Sequence, residues 1–245
     1  IGNMRNKKSR TKTIVGVVTV AALYAILFAA ILCFMLFIAK ATTEPVTDDL
    51  GNVIDTSELI NSVLAMGLII SVFITFVFAL QKITGGKKSN DTELLLSMPF
   101  KKIEIVTAKS LWNFLFNLAI SILFFLPSII AYLTYTSFNL TAIIGCFVVL
   151  FLIPLLAVGV CALVDFLVSV CFSNTKFGNI AKAIFTLITL IVVITVYEFF
   201  ALNLENPVVM TYAVHWIVSC NPLIMFPIIC VVLIIFILGC WLNAI

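Results

Sequence analysis

Few side chains within the long apolar stretches of this chain are of a type that could do chemistry. Asp165 and Glu198 are the two acidic residues inside those stretches, and His215 is the only histidine. The sequence contains no Ser/His/Asp or Cys/His combination and no two carboxylates at a catalytic spacing. Acyl transfer and acid–base hydrolysis need such combinations, so the sequence predicts that this chain is not an enzyme. A single histidine also cannot form a metal site with several histidine ligands.

The two acidic residues each have a functional and a structural interpretation. An ionisable group inside a bilayer is costly, so Asp165 should face the helix bundle or a wet cavity. There it would line or gate a substrate path, or it would hold helices together through a buried hydrogen bond. Glu198 lies within one turn of the end of its apolar stretch, where it would gate a path or anchor the helix at the interface. Asn113 and Asn117 are predicted to hydrogen-bond across helices.

Two further patterns do not indicate a metal or nucleotide site. The seven cysteines lie mostly inside apolar runs without a CxxC or Cys/His spacing, which is typical of small packing residues. The run 85–89, Gly-Gly-Lys-Lys-Ser, lacks the G-x-x-x-x-G-K-[ST] spacing of a phosphate loop and follows no predicted strand. We expect a flexible basic turn near anionic lipid head groups instead.

The composition identifies the kind of element that carries these residues. Of the 245 residues, 63% are apolar and 10% are charged, and the mean hydropathy is +1.27. Soluble domains have about 45–50% apolar and about 25% charged residues. The apolar runs are long and continuous rather than alternating, which favours membrane helices. The predicted fold is an all-α integral membrane protein with a basic cytoplasmic segment, 1–12, and a transmembrane domain, 13–245.

Six transmembrane helices are predicted from the apolar runs. They cover residues 13–39, 59–80, 107–135, 142–172, 183–201 and 223–245. Every lysine and arginine except Lys40 falls on segments that this topology puts on the inner side, if residues 107–110 at the inner end of span three are counted with them. Because basic residues mark the cytoplasmic side of a membrane, we expect a multi-pass protein of the cell membrane with a cytoplasmic N-terminus.

The inner segment between spans two and three, 81–106, contains the most distinctive motif. Asn90 and Glu93 form a capping-box pattern and Pro99 disfavours helix before it, which predicts a helix of about seven residues, far too short to cross a bilayer. A leucine run framed by charge makes its surface: Asp91, Glu93, Leu94, Leu95, Leu96, Ser97, Pro99, Lys101 and Lys102. Such a helix would lie flat on lipid or contact a partner protein.

This segment, in its place between spans two and three, resembles the first cytoplasmic loop of the six-span permeases of ATP-binding-cassette (ABC) exporters. The matching residues are Glu93, Leu94, Leu95, Leu96, Ser97, Pro99, Lys101 and Lys102. In that family the segment is a coupling helix that docks on a separate ATPase. The resemblance therefore implies an ATPase-coupling contact here, and a second, weaker contact at 173–182.

The resemblance extends to both ends of the chain. Two Asn-Pro pairs bracket the apolar stretch 208–220, which is too short to cross, and we expect a re-entrant or interfacial external helical hairpin at 202–222. The family has a hairpin at this place and an amphipathic elbow helix before span one. Because the chain starts Ile1-Gly2, we expect the basic segment 1–12 to be the end of an elbow helix in a longer protein.

The resemblance implies the transmembrane subunit, or half, of an ABC exporter that moves an amphipathic or lipid-like substrate, a peptide or a drug. Its partners would be a cytoplasmic ABC ATPase, a second permease half in a homodimer or a fused chain, and membrane lipid, without nucleic acid. ATP and Mg²⁺ would be held by the ATPase, with no cofactor or metal in this chain. Two alternatives stay open: a secondary transporter or channel that needs no ATPase, and a non-transporting membrane scaffold or sensor subunit.

Overall fold

The computed structural model describes residues 2–43, 46–47, 53–54, 60–84, 102–136, 139–172, 178–202, 214–215 and 217–243. The long elements are six helices: α1 (Gly2–Thr43), α2 (Ile60–Thr84), α3 (Lys102–Tyr135), α4 (Leu140–Phe172), α5 (Gly178–Leu202) and α6 (Pro222–Leu242). Between α1 and α2, β1 (Val46–Thr47) pairs antiparallel with β2 (Val53–Ile54). The described part of the chain is therefore helical apart from this small hairpin.

Five of the described helices, α1, α2, α3, α4 and α6, are long and apolar enough to cross a membrane. Their apolar portions agree with five of the predicted spans to within about one helical turn. The prediction of an α-helical, multi-pass membrane protein is thus confirmed. The 25 residues of α5 extend for about 38 Å, but its apolar stretch among the described side chains is the shorter Thr186–Phe199. The span predicted at 183–201 stays a prediction.

The buried core lies where α2, α3 and α4 meet. Leu64, Phe125 and Val149, one from each helix, belong to one cluster of buried apolar side chains. Helix α1 packs mainly on α3, α5 mainly on α2, and α6 mainly on α4. Because lipid is as apolar as these side chains, close packing and interhelical hydrogen bonds are what hold such a bundle together.

Helix α1 contacts the bundle through its C-terminal half. The hydroxyl of Tyr24 donates a hydrogen bond to the backbone oxygen of Ala119 in α3 at 2.7 Å, and Met35 and Ala39 are buried. Residues 14–20, at the beginning of the apolar part of α1, are all exposed. This part of α1 therefore stands away from the described helices.

Glycines let α6 approach α4 closely. A Cβ added at Gly159 would lie 2.9 Å from Cα of Phe236, and one at Gly239 would lie 2.8 Å from the backbone oxygen of Gly159. Nδ2 of Asn243 adds a hydrogen bond of 2.7 Å to the backbone oxygen of Ala162. Small residues at a helix crossing are a common way to pack membrane helices, and here they hold α6 against the C-terminal half of α4.

The residues before α6 fold onto the N-terminal end of α4. Val214 and Ile217 are buried, and a Cβ added at Gly145 of α4 would collide with the backbone oxygen of Ile217. Within the described part of the predicted hairpin, residues 214–215 and 217–218 are helical. This segment packs on the bundle, while the re-entrant hairpin at 202–222 stays a prediction.

A well-formed cap begins α6. Oδ1 of Asn221 accepts a hydrogen bond from the backbone nitrogen of Leu223 at 3.1 Å, and Pro222 occupies the first helical position, where its missing N–H costs nothing. Cys220, immediately before the cap, has a positive φ of 44°, which is uncommon for a residue other than glycine. The chain thus turns sharply before it enters the last helix.

Candidate functional site

The predicted ATPase contact lies on the segment that joins α2 to α3. The residues of this contact that fall outside the described part of the chain are Asp91, Glu93, Leu94, Leu95, Leu96, Ser97, Pro99 and Lys101. Lys102 is the first residue of α3. The predicted second contact, 173–182, lies outside the described part up to residue 177, and its remainder begins α5. The structure therefore describes the two helices that the predicted coupling segment connects.

Helices α2 and α3 are antiparallel and touch along much of their length. Three contacts give the register, in order along α2 from its N-terminus: Gly67 with Ser128, Ser71 with Ser121, and Phe78 with Phe116. A Cβ added to the glycine would collide with the side chain opposite. The two serine hydroxyl oxygens are 3.2 Å apart, and the two phenyl rings meet edge to face with centroids 6.1 Å apart.

A buried set of polar side chains lies at the middle of this contact. Ser71 and Thr75 of α2 and Asn117 and Ser121 of α3 all have 0% exposure, and we call these four residues the polar seam. The hydroxyl of Ser121 also donates to the backbone oxygen of Leu150 in α4 at 3.3 Å. In a bilayer core bulk water does not compete for such groups, so the hydrogen bonds of the seam help to join α2, α3 and α4.

The sequence analysis missed the hydroxyl-bearing members of the seam. Two polar residues four positions apart on each of two successive apolar helices were the available signal, because residues at that spacing share a face. A hydrogen bond from Asn117 to another helix was predicted, and this prediction was wrong. Nδ2 of Asn117 instead donates to the backbone oxygen of Asn113 in the same helix, at 2.8 Å.

Asp165 and Glu198, the predicted path or gate residues, lie toward opposite ends of the bundle. Asp165 is half-buried, two turns before α4 ends at Phe172, and Glu198 is exposed, one turn before α5 ends at Leu202. Asp165 is near the end of α4, whereas Glu198 is far from the beginning of α5. The two carboxylates do not form a common site, and each stays a separate candidate.

A lateral groove lies between α3 and α6 at their predicted inner ends. Its volume is about 600 Å³, which falls within the range of about 300–1,000 Å³ for small-molecule sites. The lining residues are Glu104, Thr107, Ala108, Ser110, Leu111, Phe236, Ile237, Cys240 and Trp241. The polar ones are on α3, whereas the α6 wall is apolar. Such a groove can hold hydrocarbon against α6 and a polar group beside the first turns of α3.

An aromatic pair lies next to this groove, farther into the membrane. The ring centroids of Phe114 and Phe236 are 6.4 Å apart and the rings are inclined by 64°, an edge-to-face arrangement that aromatic pairs prefer. Phe114 follows the lining residue Leu111 by one turn of α3. The pair therefore joins α3 to α6 at the end of the groove that lies farther from the first residue of α3.

No group of three His, Cys, Asp or Glu that could hold a metal ion occurs among the described residues. His215 is exposed on the helical turn that precedes α6. Six cysteines with described side chains are free thiols, on α1, on α4, before α6 and on α6.

The fold defines the class of this protein as a multi-pass α-helical membrane protein. Within that class, its distinguishing features are a polar seam between α2 and α3, the two helices that flank the leucine run, and a lateral groove between α3 and α6. No family model, curated protein or solved structure matches the chain.

Proposed function

We propose that this chain is the transmembrane subunit, or one half of the transmembrane part, of an ABC exporter. The observation that carries the proposal is that the segment with the leucine run connects two membrane helices in direct contact. A separate cytoplasmic ATPase would grip that segment through residues 91–102. ATP-driven movement of the ATPase would then shift the helices and drive transport.

The contact between α2 and α3 is suited to pass on such a movement. The serine pair, Ser71 and Ser121, joins the helices near the membrane centre, and the close approach of Gly67 to Ser128 joins them toward the outer side. Packed elements shift as rigid bodies rather than deform continuously. A displacement at the inner end would therefore tilt both helices together, and the hydrogen bond to Leu150 would carry it to α4.

The groove between α3 and α6 supports an amphipathic or lipid-like substrate. Its α6 wall, with Phe236, Ile237 and Trp241, matches an acyl chain or another apolar body, and Glu104 and Thr107 offer polar groups near the predicted cytoplasmic surface. A molecule dissolved in the inner leaflet could enter from the side without crossing water.

The extent of exposed apolar surface supports a second permease half. Many large apolar side chains of the described helices are exposed, among them Val18, Phe37 and Trp112. The apolar window of α1 is only 6% buried. A second copy, or a fused second half, would cover part of this surface, and membrane lipid would contact the rest.

The proposal is tested by placing a charge in the leucine run. Leu94→Asp should abolish co-purification of an ABC ATPase with the chain and the ATP-driven export that depends on it. Leu50→Asp makes the same substitution in the loop predicted to be external, and should leave both intact. Equal membrane levels of the two variants have to be verified by quantitative immunoblotting.

Other outcomes would favour the alternatives. If Leu94→Asp retains both the ATPase and ATP-driven transport, the coupling assignment is wrong. Transport that follows an ion gradient, needs no ATPase and is lost in Asp165→Asn would identify a secondary transporter. The absence of substrate-stimulated ATPase activity from every native complex of the chain would favour a scaffold or sensor subunit.

A further inference from the structure

Asn117 carries the one buried side-chain nitrogen or oxygen atom, among those described, for which no hydrogen-bond partner is found: its Oδ1. The residue has 0% exposure. The bond from Nδ2 to the backbone oxygen of Asn113 at 2.8 Å orients the amide, so the unpaired end is the oxygen. An unpaired buried acceptor is costly, and each one in a native protein needs an explanation.

The register of the two helices places Thr75 at the level of Asn117. Ser71 and Thr75 are one turn apart on α2, and Ser121 and Asn117 are one turn apart on α3. Because the helices are antiparallel and Ser71 meets Ser121 at 3.2 Å, the next turn toward the inner side brings the other two members of the seam to one level. Both of these side chains are fully buried.

Each hydroxyl hydrogen of the polar seam already has a hydrogen-bond acceptor. Ser121 donates to the backbone oxygen of Leu150, so the hydrogen between the two serines comes from Ser71. Thr75 donates to the backbone oxygen of Ser71 within α2. What remains at the level of Asn117 is its own acceptor, Oδ1, the second hydrogen of its Nδ2, and the lone pairs of the threonine hydroxyl. A molecule that links Oδ1 of Asn117 to Oγ1 of Thr75 must donate a hydrogen bond to each.

We propose that one water molecule is bound between α2 and α3, donating one hydrogen to Oδ1 of Asn117 and the other to Oγ1 of Thr75. Two or more polar partners are what a buried water requires. The seam contains no carboxylate, so none of its members would neutralise a bound cation at this depth. The water forms a second polar link between α2 and α3, one helical turn from the serine pair in the direction of the C-terminus of α2.

A double-mutant cycle tests the link in the full chain in detergent. Asn117→Leu and Thr75→Val should each lower the apparent melting temperature, by about 3 °C. The double variant should lose clearly less than the sum, because both residues hold the same water. Thr134→Val is the matched control, since that hydroxyl also donates within its own helix, to Ile130 at 2.7 Å, but is exposed. Its effect should add to that of Asn117→Leu.

Three results would overturn the proposal. The first is a rise in melting temperature for Asn117→Leu with additive behaviour toward Thr75→Val, which indicates an empty site. The second is a melting temperature of the unmodified protein that depends on Na⁺ rather than a bulky organic cation, which indicates an ion. The third is a high-resolution structure without density within about 3 Å of Oδ1. None of these measurements involves an ATPase, so their outcome is separate from that of the proposed function.

Discussion

Gly239 of α6 lies so close to Gly159 of α4 that a Cβ added at Gly239 would come within 2.8 Å of the backbone oxygen of Gly159. This contact sets the spacing of α4 and α6. Because α3 also packs on α4, the same contact determines how far the α6 wall of the groove stands from the α3 wall. Two residues without side chains thus define the shape of a candidate substrate site.

A side chain at this position should therefore destabilise the protein. Gly239→Ala should lower the free energy of unfolding by about 1–3 kcal/mol, because the backbone of α4 must shift to make room. Thermal unfolding in detergent measures the effect. Gly16→Ala is the control, since a Cβ there meets nothing within 4 Å, and it should be neutral or slightly stabilising in a helix. Equal melting temperatures for the two variants would contradict the observed spacing.

The contact between Gly67 and Ser128 should behave as a compensating pair. Gly67→Ala introduces a Cβ that collides with the side chain of Ser128, and we expect a loss of about 1–3 kcal/mol and weaker packing of α2 on α3. Adding Ser128→Gly removes both side-chain atoms and should restore much of the melting temperature despite the second helical glycine. A double variant that is less stable than Gly67→Ala alone would show that the two residues do not meet.

The hydroxyl of Tyr24 should help to hold α1 on α3. Tyr24→Phe removes its 2.7 Å hydrogen bond to the backbone oxygen of Ala119 and should cost about 0.5–1.5 kcal/mol. Hydrogen exchange, measured by mass spectrometry, should increase in α1 while α2 remains protected. Tyr135→Phe, at the exposed outer end of α3, is the comparison variant and should leave α1 unchanged.

Cys240 offers a direct probe of the groove. It lines the groove and is half-buried, whereas Cys33 on α1 is exposed. An amphiphile bound in the groove should slow the reaction of Cys240 with a membrane-permeant maleimide and leave the rate at Cys33 unchanged. Equal slowing of the two cysteines would indicate a general effect on the detergent or lipid phase and would rule out occupancy of the groove.

The predicted orientation gives the fifth test. In a cysteine-free background, Asn52→Cys should react with a membrane-impermeant maleimide added outside intact cells, and Ser89→Cys should react only after the cells are opened. The expectation rests on the basic residues of the inner segments, which favour the cytoplasmic side. The reverse labelling pattern would show that residues 91–102 lie outside the cell, where a cytoplasmic ATPase could not bind them.

The helices could be predicted from the sequence because the length and the apolarity of a run are properties of that run alone and do not depend on its neighbours in the fold. A run of about 20 apolar residues must satisfy its backbone hydrogen bonds within itself once it is in lipid, so the runs that became α2, α4 and α6 were visible before any packing was known. α5 was harder to assign, because its apolar stretch among the described side chains, Thr186–Phe199, is short for a span.

The polar seam and the groove could not be predicted in the same way, because they depend on which residues of different helices meet. Nothing in the order of residues says that Ser71 faces Ser121, or that Gly67 faces Ser128. The same is true of the groove, whose walls come from the first turns of α3 and the last turns of α6, far apart in sequence. These sites depend on the relative rotation and spacing of the helices.

The sequence by itself determined that this protein crosses a membrane several times as helices. A continuous apolar run in lipid must pair its backbone N–H and C=O groups within itself, and few structures other than a helix allow this. Only the tertiary structure decided which polar groups are buried together and which helices leave a groove between them. The physical reason is that packing in lipid is decided by small differences in shape and hydrogen bonding at each helix crossing. A glycine at position 239 or a serine at position 121 has its effect only when the residue opposite is known.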